Sequence, residues 1–302
     1  MIAQWQIEQF HQQGFLVVEE VLSAEEVALL QTDFDAWVEE SRQHSEAWGE
    51  TLDGRPRFDL ESDHAPHHPS LRRVSSPTEI SAAYRRAALD SRMAAIAGQL
   101  IGGSGTRFHH SKINSKLPHT ATQVKWHQDF LFTPHSNDDI ITALLMVSEV
   151  TPENGPLNVV PGSHQGPLWS HWQNARFTGA VDPQVEEAHC QQPQACFGPA
   201  GSVCFMHTRL LHAPALMKPT SRARCLSAST QRKMPCRSAK IRCPAFTPGR
   251  WLPAKRAAWC VVPLIIYVCR KNRAAHPFSS SRPVPIAPAC NLPTLWRFYE
   301  TY

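Results

Sequence analysis

The sequence predicts a mainly β protein with flanking helices, α+β in class. Its expected core is a sandwich or barrel such as a jelly roll, followed by a C-terminal tail without a predicted regular fold. Three observations point there. Helical apolar spacing is confined to the first hundred or so residues. From about residue 105, short β-type runs follow one another, broken by Gly, Pro and Asn with no helical period between them. The composition then changes abruptly after residue 230. At 302 residues and 42% hydrophobic, the chain is long enough for one large or two ordinary domains with a buried core.

The elements follow in order. Residues 4–13 have a helical pattern, and Gly14 stops it ahead of the β-prone run "GFLVVEEVL". Ser23, with Glu26 three positions later, forms a capping box, and Val27, Leu29, Leu30, Phe34 and Trp37 share one face of a helix expected over about 24–42. Residues 44–78 are polar, rich in turn formers and without a period, so they read as a long loop. Residues 79–101 look helical again. The β-type runs are "TRFHHSKINSK", "TQVKWHQD", "DIITALLMVSEV", "PLNVVPG", "GSVCFMH" and "RCLSAST", with no internal repeat.

Charge divides the chain where composition does. Residues 231–302 carry 13 Lys and Arg against the single acid Glu300, a balance of +12, whereas residues 1–230 carry 17 basic and 25 acidic residues, a balance of −8. Five of the nine Cys and ten of the 25 Pro also lie in the tail. The tail has neither helical nor strand period, and its cysteines lack zinc spacing. We therefore expect a frame-shifted or disordered segment in preference to a basic nucleic-acid module, and a chain ending at Thr230 is expected to hold a metal as well as the full chain. The acidic balance of the first 230 residues argues against a nucleic-acid partner. The apolar run at 261–269 is far short of the roughly 20 residues of a membrane helix, and the opening residues show no secretory pattern, so a cytoplasmic location without a membrane partner is expected.

The stretch "KWHQDFLF" places His127 and Asp129 two apart, on the same side of an extended segment. With 16 His in the chain, about 0.5 such His-x-Asp pairs arise by chance, so spacing alone decides nothing. A non-haem iron site needs two histidines and one carboxylate on one side of the metal, and an arginine suits the far carboxylate of a 2-oxo acid. Downstream, "GSVCFMHTRLLHAPALMKPTSRARCLSAST" supplies His207, His212, Arg222 and Arg224 around a turn between expected strands. His109 and His110 are adjacent on a strand and face opposite ways, so at most one reaches the site. Lys112 and Lys116 share a face that can meet an acid. Gly155, Pro161, Gly162 and Ser163 shape a turn near the site.

The ordered stretches "FHQQGFLVVEEVLSAEEVALL", "WHQDF", "ENGPLNVVPGSH" and "GSVCFMHTRLLHAPA" resemble the phytanoyl-CoA dioxygenase (PhyH) family of Fe(II)/2-oxoglutarate oxygenases, over roughly residues 5–230. The resemblance implies a double-stranded β-helix, cupin-like core. It implies Fe(II) held by His127, Asp129 and His212, with His207 the rival of His212. It also implies 2-oxoglutarate bound by Arg224, with Arg222 its rival and Lys112 and Trp126 as further cosubstrate contacts. The implied reaction is hydroxylation of an unactivated C–H bond of a small molecule by O2, releasing succinate and CO2, with ascorbate as a stimulant. Presence of the Asp129 carboxylate favours hydroxylation over halogenation. The expected division is an oxygenase domain over 1–230 and a basic Cys/Pro-rich tail over 231–302. The rival readings are a catalytically silent relative with an altered C-terminus and a binding protein that uses the tail. Substrate walls are expected from 44–78 and 165–195, where no motif identifies a ligand.

Overall fold

A computed structural model describes residues 1–102, 106–115, 124–132, 134–135 and 137–215, together with the backbone of 263–270. The chain opens with helix α1 (Gln4–Gln13), closed by Gly14 at φ 81°, whose N–H bonds to the Phe10 carbonyl at 2.7 Å. A Cβ at Gly14 would lie 2.4 Å from His164 Nδ1, so glycine is required there by space as well as by conformation. Strand β1 (Phe15–Val18) follows, then α2 (Ala24–Glu40). The capping box at the start of α2 forms as the sequence predicts. Glu26 N–H donates to Ser23 Oγ at 3.2 Å, and Ser23 N–H donates to the Glu26 carboxylate at 2.8 Å.

The expected loop over 44–78 contains three strands, β2 (Trp48–Glu50), β3 (Pro56–Leu60) and β4 (Leu71–Ser75). They were illegible because few of their positions are apolar. Phe58, Leu71 and Val74 enter the core, while Arg57 is buried as an ion pair with Glu79 at 2.6 Å and donates to the Glu50 and Ser76 carbonyls. The expected helix at 79–101 is two, α3 (Ala82–Leu89) and α4 (Arg92–Ile101), because Ser81 and Ser91 each cap a helix of their own. Then come β5 (Thr106–Asn114), β6 (Ile140–Met146), β7 (Leu157–Val159), β8 (Trp172–Gln173), β9 (Arg176–Phe177), α5 (Pro183–His189), β10 (Gln194–Cys196), β11 (Val203–His207) and β12 (His212–Pro214). The run "TQVKWHQD" supplies no strand among its described residues, only a bridge at His127, and "RCLSAST" lies outside the described residues.

One stretch of the tail departs from expectation. Residues Pro263–Arg270 form β13, and the large antiparallel sheet has the order β1-β11-β6-β13-β5-β4-β3-β2. Its physical basis is the run "PLIIYVCR", rich in β-branched and aromatic residues. Such a strand fits between β6 and β5, whose facing edges each offer a row of backbone donors and acceptors. A small sheet, β10-β7-β12, packs on the large one, and β8-β9 is a separate hairpin. Elsewhere in the tail, our expectations fall on residues outside the description.

Alternation along the strands makes two layers. Ile141, Ala143 and Leu145 of β6, Val203 and Phe205 of β11 and Ile113 of β5 face a core shared with Leu30, Phe34, Tyr84, Ile96 and Leu100 of the helices. Met146, Cys204 and Met206 face the other way, onto Val159 and Cys196 of the small sheet. Helices thus cover one face of the large sheet, and the jelly-roll interior lies at the other. Among the described residues, no helix is long and apolar enough to cross a membrane.

Because β13 joins β6 to β5, loss of the tail is expected to cost the fold stability, a consequence separate from the metal binding expected of a chain ending at Thr230. A chain ending at residue 262 should lose several kcal/mol and unfold at least about 10 °C lower. Thermal unfolding of both chains, followed by circular dichroism, measures this, and equal midpoints would remove β13 from the fold.

Candidate metal centre

The centre is built on one pair of backbone hydrogen bonds. His127 N–H donates to the His212 carbonyl and His212 N–H to the His127 carbonyl, both at 3.0 Å, which sets the two histidines opposite one another. Each ring is then fixed by its own chain. His127 Nδ1 donates to the Lys125 carbonyl at 2.8 Å, and His212 Nδ1 donates to the Leu210 carbonyl at 2.9 Å, in both cases the carbonyl two residues upstream. A carbonyl only accepts, so Nδ1 carries the proton and Nε2 presents a lone pair. Both Nε2 atoms lie 3.6 Å from Asp129 Oδ1.

Asp129 opens a short 3-10 turn, Asp129–Leu131, and its other oxygen, Oδ2, accepts from Thr142 Oγ1 at 2.9 Å. Thr142 sits on the inner face of β6, the one hydroxyl in the run "IITALLM". Burial acts to raise the Asp129 carboxyl, but His212, His127 and Lys112 around it hold it below the usual carboxylate range. Burial pushes the His212 imidazole down to about 4, so this ring is neutral. The ligand atoms of His127, Asp129 and His212 all lie within 4.8 Å of one another. Two imidazole lone pairs and a carboxylate oxygen aimed at one point repel unless a cation lies between them. Their number and type fit Fe(II) in a two-His, one-carboxylate site.

His207 ends β11, where its Nδ1 accepts from Arg209 N–H at 3.1 Å and its ring lies 5.2 Å from that of His164; it is not brought to the group. Lys112 and His110 share the inner face of β5 and point towards the centre. Burial lowers the Lys112 ammonium to about 8 against the pull of Asp129, and lowers His110 to about 2 with Lys112 adding to the effect. His109 is exposed, its ring 4.9 Å from that of His135. Trp126 packs beside Val181, Cys190 and Leu211, buttressing the residue before His212. Ser163 shapes the neighbouring turn by accepting Leu211 N–H at 2.9 Å and donating to the Val160 carbonyl at 2.7 Å. Arg222, Arg224 and Lys116 lie outside the described residues.

Several residues at the centre were missed in the sequence. Phe132 meets the His127 ring edge-on at 5.7 Å, and Phe177 meets Phe132 at 5.3 Å. Phe177 is placed by the β8-β9 hairpin, whose turn residues Asn174 and Ala175 both have positive φ, 50° and 60°, as a tight hairpin turn requires. His171, just before the hairpin, is fully buried and pushed down to about 3, first by burial. Thr142 alone left a legible signal, as a lone polar residue in a buried apolar strand.

The phytanoyl-CoA dioxygenase (PhyH) family profile matches residues 10–215. A probable alpha-ketoglutarate-dependent hypophosphite dioxygenase of Stutzerimonas stutzeri is 30% identical over 217 residues, covering 70% of this chain and 73% of that protein. An ectoine dioxygenase of Stutzerimonas stutzeri (strain A1501) is 28% identical over 230 residues, covering 68% and 69%. Among solved structures, EctD from S. alaskensis with bound Fe superposes with a TM-score of 0.60 at 22% identity, over 93% of this chain and 82% of that one. The fold is therefore the jelly roll of the Fe(II)/2-oxoglutarate oxygenases, and this chain belongs to the phytanoyl-CoA dioxygenase family.

Proposed function

We propose that this Fe(II)/2-oxoglutarate-dependent dioxygenase hydroxylates an unactivated C–H bond of a small molecule, with His127, Asp129 and His212 as the three metal ligands. The observation that carries the assignment is the convergence of both Nε2 atoms on Asp129 Oδ1 at 3.6 Å, with every other polar atom of the triad held elsewhere. Bound iron would supply the activation of O2, coupled to oxidation of 2-oxoglutarate to succinate and CO2. The protein's part is to hold and to exclude. The Lys125 and Leu210 carbonyls lock the imidazole tautomers, and the Thr142 hydroxyl leaves one carboxylate oxygen of Asp129 for the metal. Phe132 and Phe177 form a dry wall on the His127 side, suited to the apolar part of a substrate.

Arg224 is proposed as the partner of the far 2-oxoglutarate carboxylate, on the strength of the family resemblance, and Lys112 as a second cation on the inner face. The oxygenase unit is proposed to span 1–230, with β13 of the tail completing its large sheet. Relatives act on ectoine, proline and hypophosphite by their names, which favours a small polar substrate here as well.

Anaerobic addition of Fe(II) and 2-oxoglutarate should produce a weak visible charge-transfer band. His127→Ala, Asp129→Ala and His212→Ala should each abolish it and lower Fe(II) affinity by about a hundredfold or more, while His207→Ala leaves both near wild type. Exchange of the His207 and His212 effects would refute the ligand set. Thr142→Val should weaken Fe(II) binding by about tenfold, since the Asp129 carboxylate loses the bond that orients it. Arg224→Lys should raise the 2-oxoglutarate concentration that half-saturates the band by about tenfold, with Fe(II) affinity unchanged, because an ammonium cannot reproduce a two-pronged contact. Sensitivity at Arg222 with indifference at Arg224 would move that role two residues back.

A further inference from the structure

We infer that Gln128 is a positioning residue that sets the separation of the metal ligands, an inference that rests on reading the triad as the iron site. Gln128 stands between His127 and Asp129 in the chain and is fully buried. Its carboxamide uses both ends. Nε2 donates to the Arg209 carbonyl at 2.6 Å and to the Pro167 carbonyl at 3.2 Å, while Oε1 accepts from Trp169 N–H at 2.8 Å. Its backbone N–H donates to His171 Nε2 at 3.3 Å. One side chain therefore ties the segment bearing two ligands to two others.

The first is the turn ahead of His212. Arg209 immediately precedes Leu210, whose carbonyl orients the His212 ring, so the amide fixes the approach of the third ligand to the first two. The second is the segment 167–171, which leads into the hairpin that places Phe177 against Phe132 and so against His127. A carboxylate here would turn two donations into two repulsions with carbonyls. An apolar side chain would leave two carbonyls and one N–H buried without this partner. The surrounding loop has supports of its own. The Arg209 guanidinium donates to the Gly166 carbonyl at 2.6 Å and pairs with Asp138 at 2.8 Å, so loss of the amide shifts the ligands without dissolving the turn.

The test uses the full chain loaded anaerobically with Fe(II), and separately with Co(II), whose visible d–d absorption reports ligand geometry. Gln128→Met keeps length and volume without any hydrogen bond; Gln128→Glu keeps the acceptor and loses both donors. Each variant that retains a cooperative unfolding transition should bind Fe(II) about 10–100-fold more weakly and show a Co(II) spectrum altered in position or intensity. Gln165→Met, removing a surface amide that bonds the His11 and Gln12 carbonyls, should match wild type throughout. A merely structural role would lower the unfolding midpoint of the Gln128 variants and leave metal affinity and spectrum unchanged, and that result overturns the proposal. Failure of both variants to fold would likewise overturn it, because the Arg209 contacts would then not suffice to hold the turn. Should His212→Ala leave the Co(II) spectrum of the otherwise native protein unchanged, it is the ligand assignment that fails, and the inference about Gln128 falls with it.

Discussion

The two backbone hydrogen bonds between His127 and His212 are the constraint on which the centre depends. A β-bridge fixes the separation of two residues and the side on which their side chains emerge, so both imidazoles leave the bridge together. Each ring then donates Nδ1–H to a carbonyl two residues back, which leaves no freedom of tautomer. The resulting lone pairs face a carboxylate whose charged form burial alone disfavours. Only the surrounding fold keeps these groups in place, through Thr142 on one side and the Gln128 carboxamide on the other. A cation resolves the repulsion that this arrangement concentrates.

The large sheet delivers the remaining groups by its alternation. Outward residues of β6 and β11 pack on helices, so inward positions can carry chemistry at little cost to the core. Thr142 of β6 occupies such a position, and Lys112 and His110 occupy the matching face of β5. A strand buried on both faces has no polar alternation to display, which is why β6 reads as a continuous apolar run broken only by Thr142.

The parts of the protein legible in its sequence are those governed by local rules. The Ser23–Glu26 box, the Gly14 stop, the apolar strands β6 and β11 and the His-x-Asp pair depend on neighbours within a few positions, and the structure forms each of them. The strands β2–β4 were hidden because their burial is paid by long-range pairing and by the Arg57–Glu79 bridge, not by an apolar period. At the centre, the triad was legible through the ordered motifs, whereas Gln128, Phe132, His171 and Phe177 were not. Their roles arise from segments about 40 and 80 residues apart in the chain that meet only in the fold.

The tail shows the same limit from the other direction. Its composition differs from the rest of the chain in charge, cysteine and proline, and the family match ends at residue 215, well before β13. Yet the sheet requires something between β6 and β5. Thr142 on β6 pairs with Tyr267, and Lys112 on β5 pairs with Ile265, so β13 sets the spacing between the strand that orients Asp129 and the strand that carries the cation beside it. An eight-residue run of strand-forming sequence is enough to fill that place, whatever the composition around it. The geometry of the metal centre is therefore tied to a stretch that the family motifs do not reach, through backbone pairing that depends on strand propensity more than on the identity of any one side chain.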